Sequence, residues 1–593
     1  MKTVVVESAI DCMSDVASLW KTLTDTEYLN RVSGLGAMTL DEIEGAGSAR
    51  YRISTRAGGF RVEWDECPFE WTLERAFRVR RRMRKGPVAS VETSFQFEPM
   101  EAGGTRVTLG LVLVPRVALL TPMVRWGARR QLDTLAKAVR AVDAAKQAGQ
   151  PLPSTGTRVN IDALERAAAE LKKTSPPELV DRLVALVRDD RDDVVQRIRP
   201  YEWADQWGVD RRALLATCLS AVRAGLLELR WEVICPSCRT AAERLPTLAA
   251  LDGHGECHLC DLSFGLDVDE AVEATFMPTL SVRRVDIGQY CSGGPARTPH
   301  IMSQALLPAG ATAELAVPST VGRYRLFTRG GQTAAVEVTA DAPASVETTS
   351  DAADKLTVRP GGRILVRSTA ADERHVKLER AQFPTFAATA RDVTALPAFR
   401  RDFSADVLRA DVSLRISKVT LFFSDLTGST QLYSNVGDAS ALKLVQDHFD
   451  VVVKLIEQHG GTLVKTIGDA VMAAFVDETD ALCASVAILR AFEPFRRGHP
   501  HREQTDIKLG LFAGPSYLVT ANGVLDYFGQ TVNIAARLQA QAASGELVVE
   551  ALLAERAVAA GIVDSTAVTE RYRAELKGVN QRIDVARIRV LPP

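Results

Sequence analysis

The sequence predicts a multidomain α+β chain, and three observations predict it. The chain has 593 residues, too many for a single hydrophobic core. Its apolar residues change period along the chain. Alternation at two dominates 49–114 and 304–368, and helical spacing dominates 121–146, 161–172 and 179–187. A Pro/Gly/Ser-rich stretch at 149–158 (GQPLPSTGTR) separates the first such unit from the next.

Composition narrows the function. Hydrophobic residues make up 46% and charged residues 25%, with a formal net charge of −2. That is ordinary for a globular protein and gives no nucleic-acid signature. The longest apolar candidate for a membrane span, Val107 to Trp126, is broken by Pro115, Arg116 and Pro122, whereas a spanning helix needs about 20 uninterrupted apolar residues. The N-terminus, MKTVVVESAIDC, lacks the apolar run of a secretory signal. The expectation is a cytoplasmic protein with no membrane span.

Residues 1–148 read as one α+β unit. A strand at Val4–Ser8 and a helical stretch at Met13–Thr24 precede strands at Ala49–Thr55, Phe60–Cys67, Trp71–Arg84, Val88–Glu98 and Thr105–Val114. A long amphipathic helix, Thr121–Lys146, closes it. This order resembles the START-like helix-grip family, which implies a possible apolar small-molecule ligand between sheet and helix. Within it, Arg78, Arg80, Arg81, Arg82, Arg84 and Lys85 surround Phe77, Val79 and Met83. Alternation of that kind describes a half-buried strand with a solvated face, and the competing reading is a patch for anionic lipid or a nucleotide.

Residues 158–290 begin with helices at Ile161–Lys172, Leu179–Val187 and Arg212–Leu229. Arg199–Leu229, with Gly208 in its turn, has helix-turn-helix proportions. Beyond Arg211, Arg212 and Arg223 it offers few side chains for base edges, and its flanks are acidic. No nucleic-acid partner is expected. Of nine cysteines, four form the pairs Cys235-x2-Cys238 and Cys257-x2-Cys260. Two such turns complete a tetrahedral tetrathiolate shell, so a zinc-ribbon-like module with a structural Zn2+ is expected; His254 and His258 read as loop residues.

Residues 297–390 read as a small β-sandwich or barrel, with strands at Gln304–Leu307, Thr312–Val317, Gly322–Thr328, Thr333–Val338, Asp354–Arg359 and Gly362–Ser368. Residues 391–417, which include Phe399, Phe403, Leu408, Val412 and Leu414, form a connector. It is either a signal-transmitting, dimer-facing segment or a plain linker.

Residues 418–593 carry the chemistry. The apolar run from Val419 ends in Asp425 and is followed by Leu426-Thr-Gly428-Ser-Thr430, where glycine lets backbone approach a phosphate and a helix start favours anions. Gly460 to Phe475 reads as a hairpin with Gly468-Asp469 at its tip, which places Asp469 beside Asp425. Two adjoining carboxylates can hold two divalent ions, and two ions can activate a ribose hydroxyl while holding a triphosphate.

FSDLTGST from Phe423, VKTIGDAVMAAF from Val464 and LDYFGQTVNIAARL from Leu525 stand in this order. Together they resemble the class III adenylate/guanylate cyclases. The resemblance implies a ferredoxin-like βαββαβ sandwich and a homodimer with composite sites. It implies that Asp425 and Asp469 hold two Mg2+ or Mn2+ ions per active site. Lys465 and Asp526 would read the purine, and a Lys–Asp pair suits adenine rather than guanine. Asn533 would orient the ribose and Arg537 would neutralise the α-phosphate in the transition state. Lys577 would bind the triphosphate, with Leu426 and Gly428 at the phosphate turn. Helices followed by the cysteine module also resemble a region found upstream of some bacterial cyclase domains. The chain departs from the family pattern at Lys508-Leu-Gly-Leu-Phe-Ala-Gly514, where Lys508 replaces an arginine that can touch phosphate. Phe512, Pro515 and the loop Ser516–Val524 are also atypical. The resulting expectation is a dimeric adenylate cyclase acting on ATP and regulated by its N-terminal domains. The alternatives are a guanylate cyclase and a catalytically silent nucleotide sensor.

Overall fold

The computed structural model describes the whole chain except residues 1–2, 44–48, 50, 58–59, 151, 153–158, 267–270, 286–287, 292, 331, 382–385, 429–437, 498–504, 580–581 and 591–593. It is a mixed α/β multidomain chain. Among the described residues no helix is long and apolar enough to cross a membrane.

In the N-terminal unit, Val4–Cys12 pairs antiparallel with Thr105–Pro115, which continues through Val88–Pro99 and Ala76–Met83 to Glu70–Thr72. Alternation decides which face is buried: Phe77, Val79, Phe95 and Phe97 point inward, and Phe77 stacks on Phe95 at 4.6 Å. The helix Thr121–Gln147 lies over this face through Leu132, Leu135, Val139 and Val142. Its Asp143 accepts hydrogen bonds from the Met13 and Ser14 amides at 3.0 Å each. The arginine run forms a solvated face, with Arg78 on Glu70, Arg80 on Glu92 and Arg82 on Glu373. The expected single strand Trp71–Arg84 is two strands instead. Glu74 adopts φ 56° between them, and a left-handed residue reverses the chain where alternation alone shows no break.

Glu70–Thr72 also pairs on its other edge with Ile301–Leu307. The N-terminal sheet therefore runs on into the larger sheet of the 297–390 segment, through Arg374–Arg380, Gly322–Thr328, Gln332–Val338 and Leu356–Val358. A second sheet of Thr312–Ala316, Arg363–Arg367 and Ser345–Thr349 covers it and encloses Leu315, Leu326, Val336, Ile364, Val376 and Leu378. Sequence alternation missed Arg374–Arg380 because both faces of that strand are buried, including His375, Lys377 and Glu379.

The helices Ile161–Leu171, Pro177–Asp189, Pro200–Trp207 and Arg211–Arg223 form the next layer. The last one was expected to reach Leu229. It stops at Arg223 because Gly225 takes φ 74°, and Leu227–Ile234 becomes the centre of a three-stranded sheet with Ala241–Leu245 and Val272–Pro278. A glycine just past the last helical turn commonly ends a helix this way.

The C-terminal domain is labelled from its own start: β1 Leu414–Thr427, α1 Asp438–Gln458, β2 Thr462–Ile467, β3 Ala470–Phe475, α2 Glu478–Arg497, β4 Asp506–Ala521, β5 Val524–Phe528, α3 Gln530–Gln541, β6 Glu546–Glu550, α4 Ala551–Ala559, β7 Val568–Ala574 and β8 Ile583–Arg589. The sheet order is β2-β3-β1-β4-β6-β8-β7, with β5 hairpinned onto β4. α1, α2 and α4 cover one face over Phe422, Val471, Phe475, Leu509, Leu511 and Leu547. α3 packs on the other face so closely that a Cβ on Gly510 would lie 2.2 Å from the Gln539 amide nitrogen. The rest of that face (Val419, Leu421, Met472, Ala474, Leu518, Leu525 and Tyr527) shares one continuous core with Val393, Phe399, Leu408 and Val412 of the connector and with the helical layer.

Candidate active site of the C-terminal domain

The apolar, fully buried stretch Leu421–Phe422 anchors β1 in mid-sheet, and Asp425 emerges at its end. Ser424 pairs with Val471 on β3 and Asp425 with Lys508 on β4. Gly468, at φ 64°, forms the β2–β3 tip and sets Asp469 next to the end of β1. The acids differ in their surroundings. Asp425 Oδ2 lies 2.8 Å from Lys508 Nζ and 3.5 Å from Gln539 Nε2. Asp469 Oδ2 is buried with no hydrogen-bond partner. An orphaned carboxylate oxygen is costly, and this donor set of two carboxylates suits a hard divalent cation such as Mg2+ or Mn2+.

Behind both acids lies His448 of α1, fully buried. Its Nδ1 lies 2.7 Å from the Val445 carbonyl, and its Nε2 has no partner. Burial lowers its pKa from the ordinary 6.5, while the Val445 hydrogen bond, Asp469 and Asp425 pull it back. Sequence reading missed this residue. Its signal was a histidine at helical spacing from Leu444, Val445 and Val452 on an otherwise apolar face.

A second pair forms on the opposite flank. A bulge between Leu463 and Lys465 turns the lysine toward β5, where its Nζ lies 2.5 Å from Asp526 Oδ2. Asp526 is positioned by the β4–β5 turn, Asn522-Gly523, in which both residues have positive φ; such turns match strand twist. Asp526 Oδ1 accepts from the Tyr527 amide at 2.8 Å. The two side chains expected to read the base therefore meet.

Asn533 and Arg537 stand one turn apart on the exposed side of α3. Neither has a hydrogen bond or ion pair among the described residues. Lys577 is exposed beyond β7. Gly428 has φ 79° and is exposed; Leu426 is buried in the core, so only its backbone can face a ligand. Ser429 and Thr430, the expected helix start, lie outside the described residues.

Residues 412–585 match the family described as the adenylate and guanylate cyclase catalytic domain. The C-terminal third of this chain belongs to that family. Residues 161–290 match a family of unknown function, DUF5939. Guanylate cyclase 2G of Rattus norvegicus is 31% identical over 134 residues, which are 20% of this chain and 12% of the relative. An uncharacterized protein of Mycobacterium tuberculosis is 31% identical over 131 residues, 22% of this chain and 32% of that one. This chain thus spans about a third or less of the relatives it matches. Among solved structures, the adenylyl cyclase CyaB from P. aeruginosa is 21% identical with a TM-score of 0.26, covering 30% of this chain and 95% of that one. The guanylyl cyclase Cya2 is 19% identical with a TM-score of 0.27, covering 29% and 92%.

The connector touches the cyclase domain beside its purine-reading candidate. Arg400 donates to the Leu525 carbonyl at 2.7 Å and to the Thr394 carbonyl at 2.9 Å, with its guanidinium 5.4 Å from the Tyr527 ring centre. It thereby touches both neighbours of Asp526, Leu525 through its carbonyl and Tyr527 through its ring. A cleft of about 380 Å³ opens between connector and cyclase domain, lined in part by Pro397, Phe403, Val464 and Leu525.

Upstream of the cyclase domain, the ligand atoms of Cys235, Cys238, Cys257 and Cys260 all lie within 4.8 Å of one another, and all four residues are buried. Cys238 and Cys257 sulfurs are 3.7 Å apart. A tetrahedral shell with metal–sulfur bonds of about 2.3 Å has edges of about 3.8 Å. Lys377 Nζ lies 3.1 Å from Cys260 Sγ and 5.0 Å from the Phe327 ring centre. Burial opposes the charge of Lys377, but the Cys260 and Cys238 thiolates and Glu379 outweigh it and raise its pKa. His258 faces Glu42 at 3.4 Å and His254 is exposed, so neither joins the cluster.

Proposed function

We propose that the chain is an adenylate cyclase that converts ATP to 3′,5′-cyclic AMP and pyrophosphate at a homodimer interface. The carrying observation is the Lys465–Asp526 pair, 2.5 Å apart. A lysine donates to adenine N1 and an aspartate accepts from the 6-amino group, whereas guanine presents the reverse pattern.

Asp425 and Asp469 would hold two Mg2+ or Mn2+ ions, which when bound lower the pKa of the ribose 3′-hydroxyl and neutralise the triphosphate. Such ions would take the place of Lys508 at Asp425 and would give the orphaned Asp469 oxygen a partner. The 3′-hydroxyl gives its proton to solvent, its oxygen forms a bond to the α-phosphorus, the bond from phosphorus to the bridging oxygen breaks, and pyrophosphate leaves. Asn533 orients the ribose. Arg537 meets charge building on the α-phosphate, where a fixed cation is worth most, and Lys577 holds the triphosphate with the backbone at Leu426 and Gly428. The exposure of Asn533, Arg537 and Lys577 supports a symmetric dimer in which the partner's ligand-loaded surface meets them. The cysteine cluster supports a zinc-ribbon-like module with one structural Zn2+. A long helix across an antiparallel sheet supports the helix-grip reading of residues 1–148, with an apolar ligand there as the regulatory input.

The guanylate cyclases among the relatives motivate the second reading, that GTP is the substrate. The full chain, incubated with ATP or GTP in Mg2+ or Mn2+, decides. Cyclic AMP is the expected product, falling about a hundredfold or more in Asp469→Ala. Cyclic GMP instead would overturn the purine assignment, and no product from either nucleotide in Mn2+ would overturn catalysis.

A further inference from the structure

Soluble domains rarely leave large apolar side chains exposed as a contiguous group. Here one turn does so, at the start of the helix Thr121–Gln147. Leu119 is 86% exposed, Trp126 64%, Val117 55% and Met123 52%. They follow one another across a short 3-10 turn (Ala118–Leu120) and the first helical turns, so they form one convex ridge. The same helix buries Val124, Ala128 and Leu132 against the sheet, so the ridge is left over after the core is filled.

The charge around the ridge is of one sign. From Arg116 to Leu132 there are four arginines (Arg116, Arg125, Arg129 and Arg130) and no acid. The turn beside it, Arg84-Lys85-Gly86-Pro87, is tied to the ridge by the Arg116 amide donating to the Pro87 carbonyl at 2.9 Å, and it adds Lys85. From Ala76 to Val91 there is again no acid. The first acid beyond it on the helix is Asp133, and near the adjoining turn Asp65 is engaged with Arg84 and Glu373 with Arg82. Arg130 stands 5.7 Å from the Trp126 ring centre, and Arg125, Arg129 and Lys85 are exposed with no ion pair among the described residues.

We propose that this ridge docks the protein on an anionic phospholipid surface, with Leu119, Met123 and Trp126 entering the interface and the arginines and Lys85 meeting headgroup phosphates. A lone apolar turn offers on the order of a few hundred Å². That is less than the roughly 800 Å² per partner of a stable protein interface, but it is the form of an interfacial anchor: an apolar edge, a tryptophan and a basic flank. Attraction to anionic lipid contributes a further increment for each nearby cation. The proposal is independent of the cyclase reading.

The test uses the full chain with vesicles of phosphatidylcholine alone or with added phosphatidylglycerol, at low and high salt. Of the seven tryptophans only Trp126 is largely exposed, so its fluorescence reports insertion. The expected result is co-sedimentation with anionic vesicles that weakens with salt, together with a blue shift of emission. Arg129→Gln should bind about fivefold more weakly, and Leu119→Asp with Met123→Asp should abolish binding, while circular dichroism stays unchanged. No sedimentation or shift with anionic vesicles at low salt would overturn it. So would binding that survives the double aspartate variant, or a ridge that pairs two copies, seen as a smaller hydrodynamic size in that variant.

Discussion

Two buried histidines give the molecule a predictable response to acid. His448 lies behind Asp425 and Asp469, and His300 contacts the Ser237 carbonyl at 2.7 Å. Burial lowers both pKa values from 6.5, that of His300 well below, where Arg239 adds to the effect. Both therefore take up a proton less readily in the folded chain than in the unfolded chain, which protonates them below about 6.5. Their stabilising contribution is complete above that pH and is lost as pH falls through it. The urea midpoint should be level at neutral pH and decline below about 6.5, with a shallower decline in His448→Gln. A midpoint that rises on acidification would contradict the assignment. At this scale the sequence was most informative where chemistry comes in spaced motifs. Lys465 and Asp526 lie 61 positions apart and still meet. It was silent on Arg400 and His448, because a lone arginine or histidine acquires meaning only from what packs around it.

Among the elements, α3 depends on a single hydrogen atom's worth of space. A methyl on Gly510 would strike the Gln539 amide at 2.2 Å and the Ala535 carbonyl at 2.7 Å, both backbone groups that cannot swing away. Gly510→Ala should destabilise the C-terminal domain by ~3 kcal/mol or more and displace Asn533 and Arg537 with the helix. Chemical denaturation checks the first effect, and a loss of turnover beyond that explained by unfolding checks the second. An unchanged midpoint would mean that α3 shifts freely. Strand and helix periods were legible for most elements. The errors have two causes: Glu74 and Gly225 break elements through a positive φ, and Arg374–Arg380 hides because both its faces are covered. Backbone handedness and double burial leave little trace in a hydrophobic pattern.

At the scale of the molecule, the cysteine cluster joins parts that the sequence set out as separate. Its loops come from the DUF5939 segment and its cation, Lys377, from a strand of the sandwich. We expect about one zinc ion per chain after purification, lost in Cys257→Ser. Because the site's binding energy is folding energy, metal loss should lower the thermal midpoint by several degrees and raise proteolysis around Arg374–Arg380. A metal-free protein of unchanged stability would remove the structural role. The boundaries read from composition mark changes of texture. The continuous sheet through Glu70–Thr72 and Ile301–Leu307 could not be foreseen, since pairing between distant strands has no local signature.

The core shared by the catalytic sheet, the connector and the helical layer also bears on inheritance. Catalytic domains are often thought of as cassettes that recombination can move between genes. Here a crossover near residue 418 would tear an apolar seam, leaving Val419, Leu421, Met472 and Tyr527 without the residues that now cover them. In this chain the piece that keeps its core intact is therefore larger than the matched domain, and it includes the connector and the upstream helices.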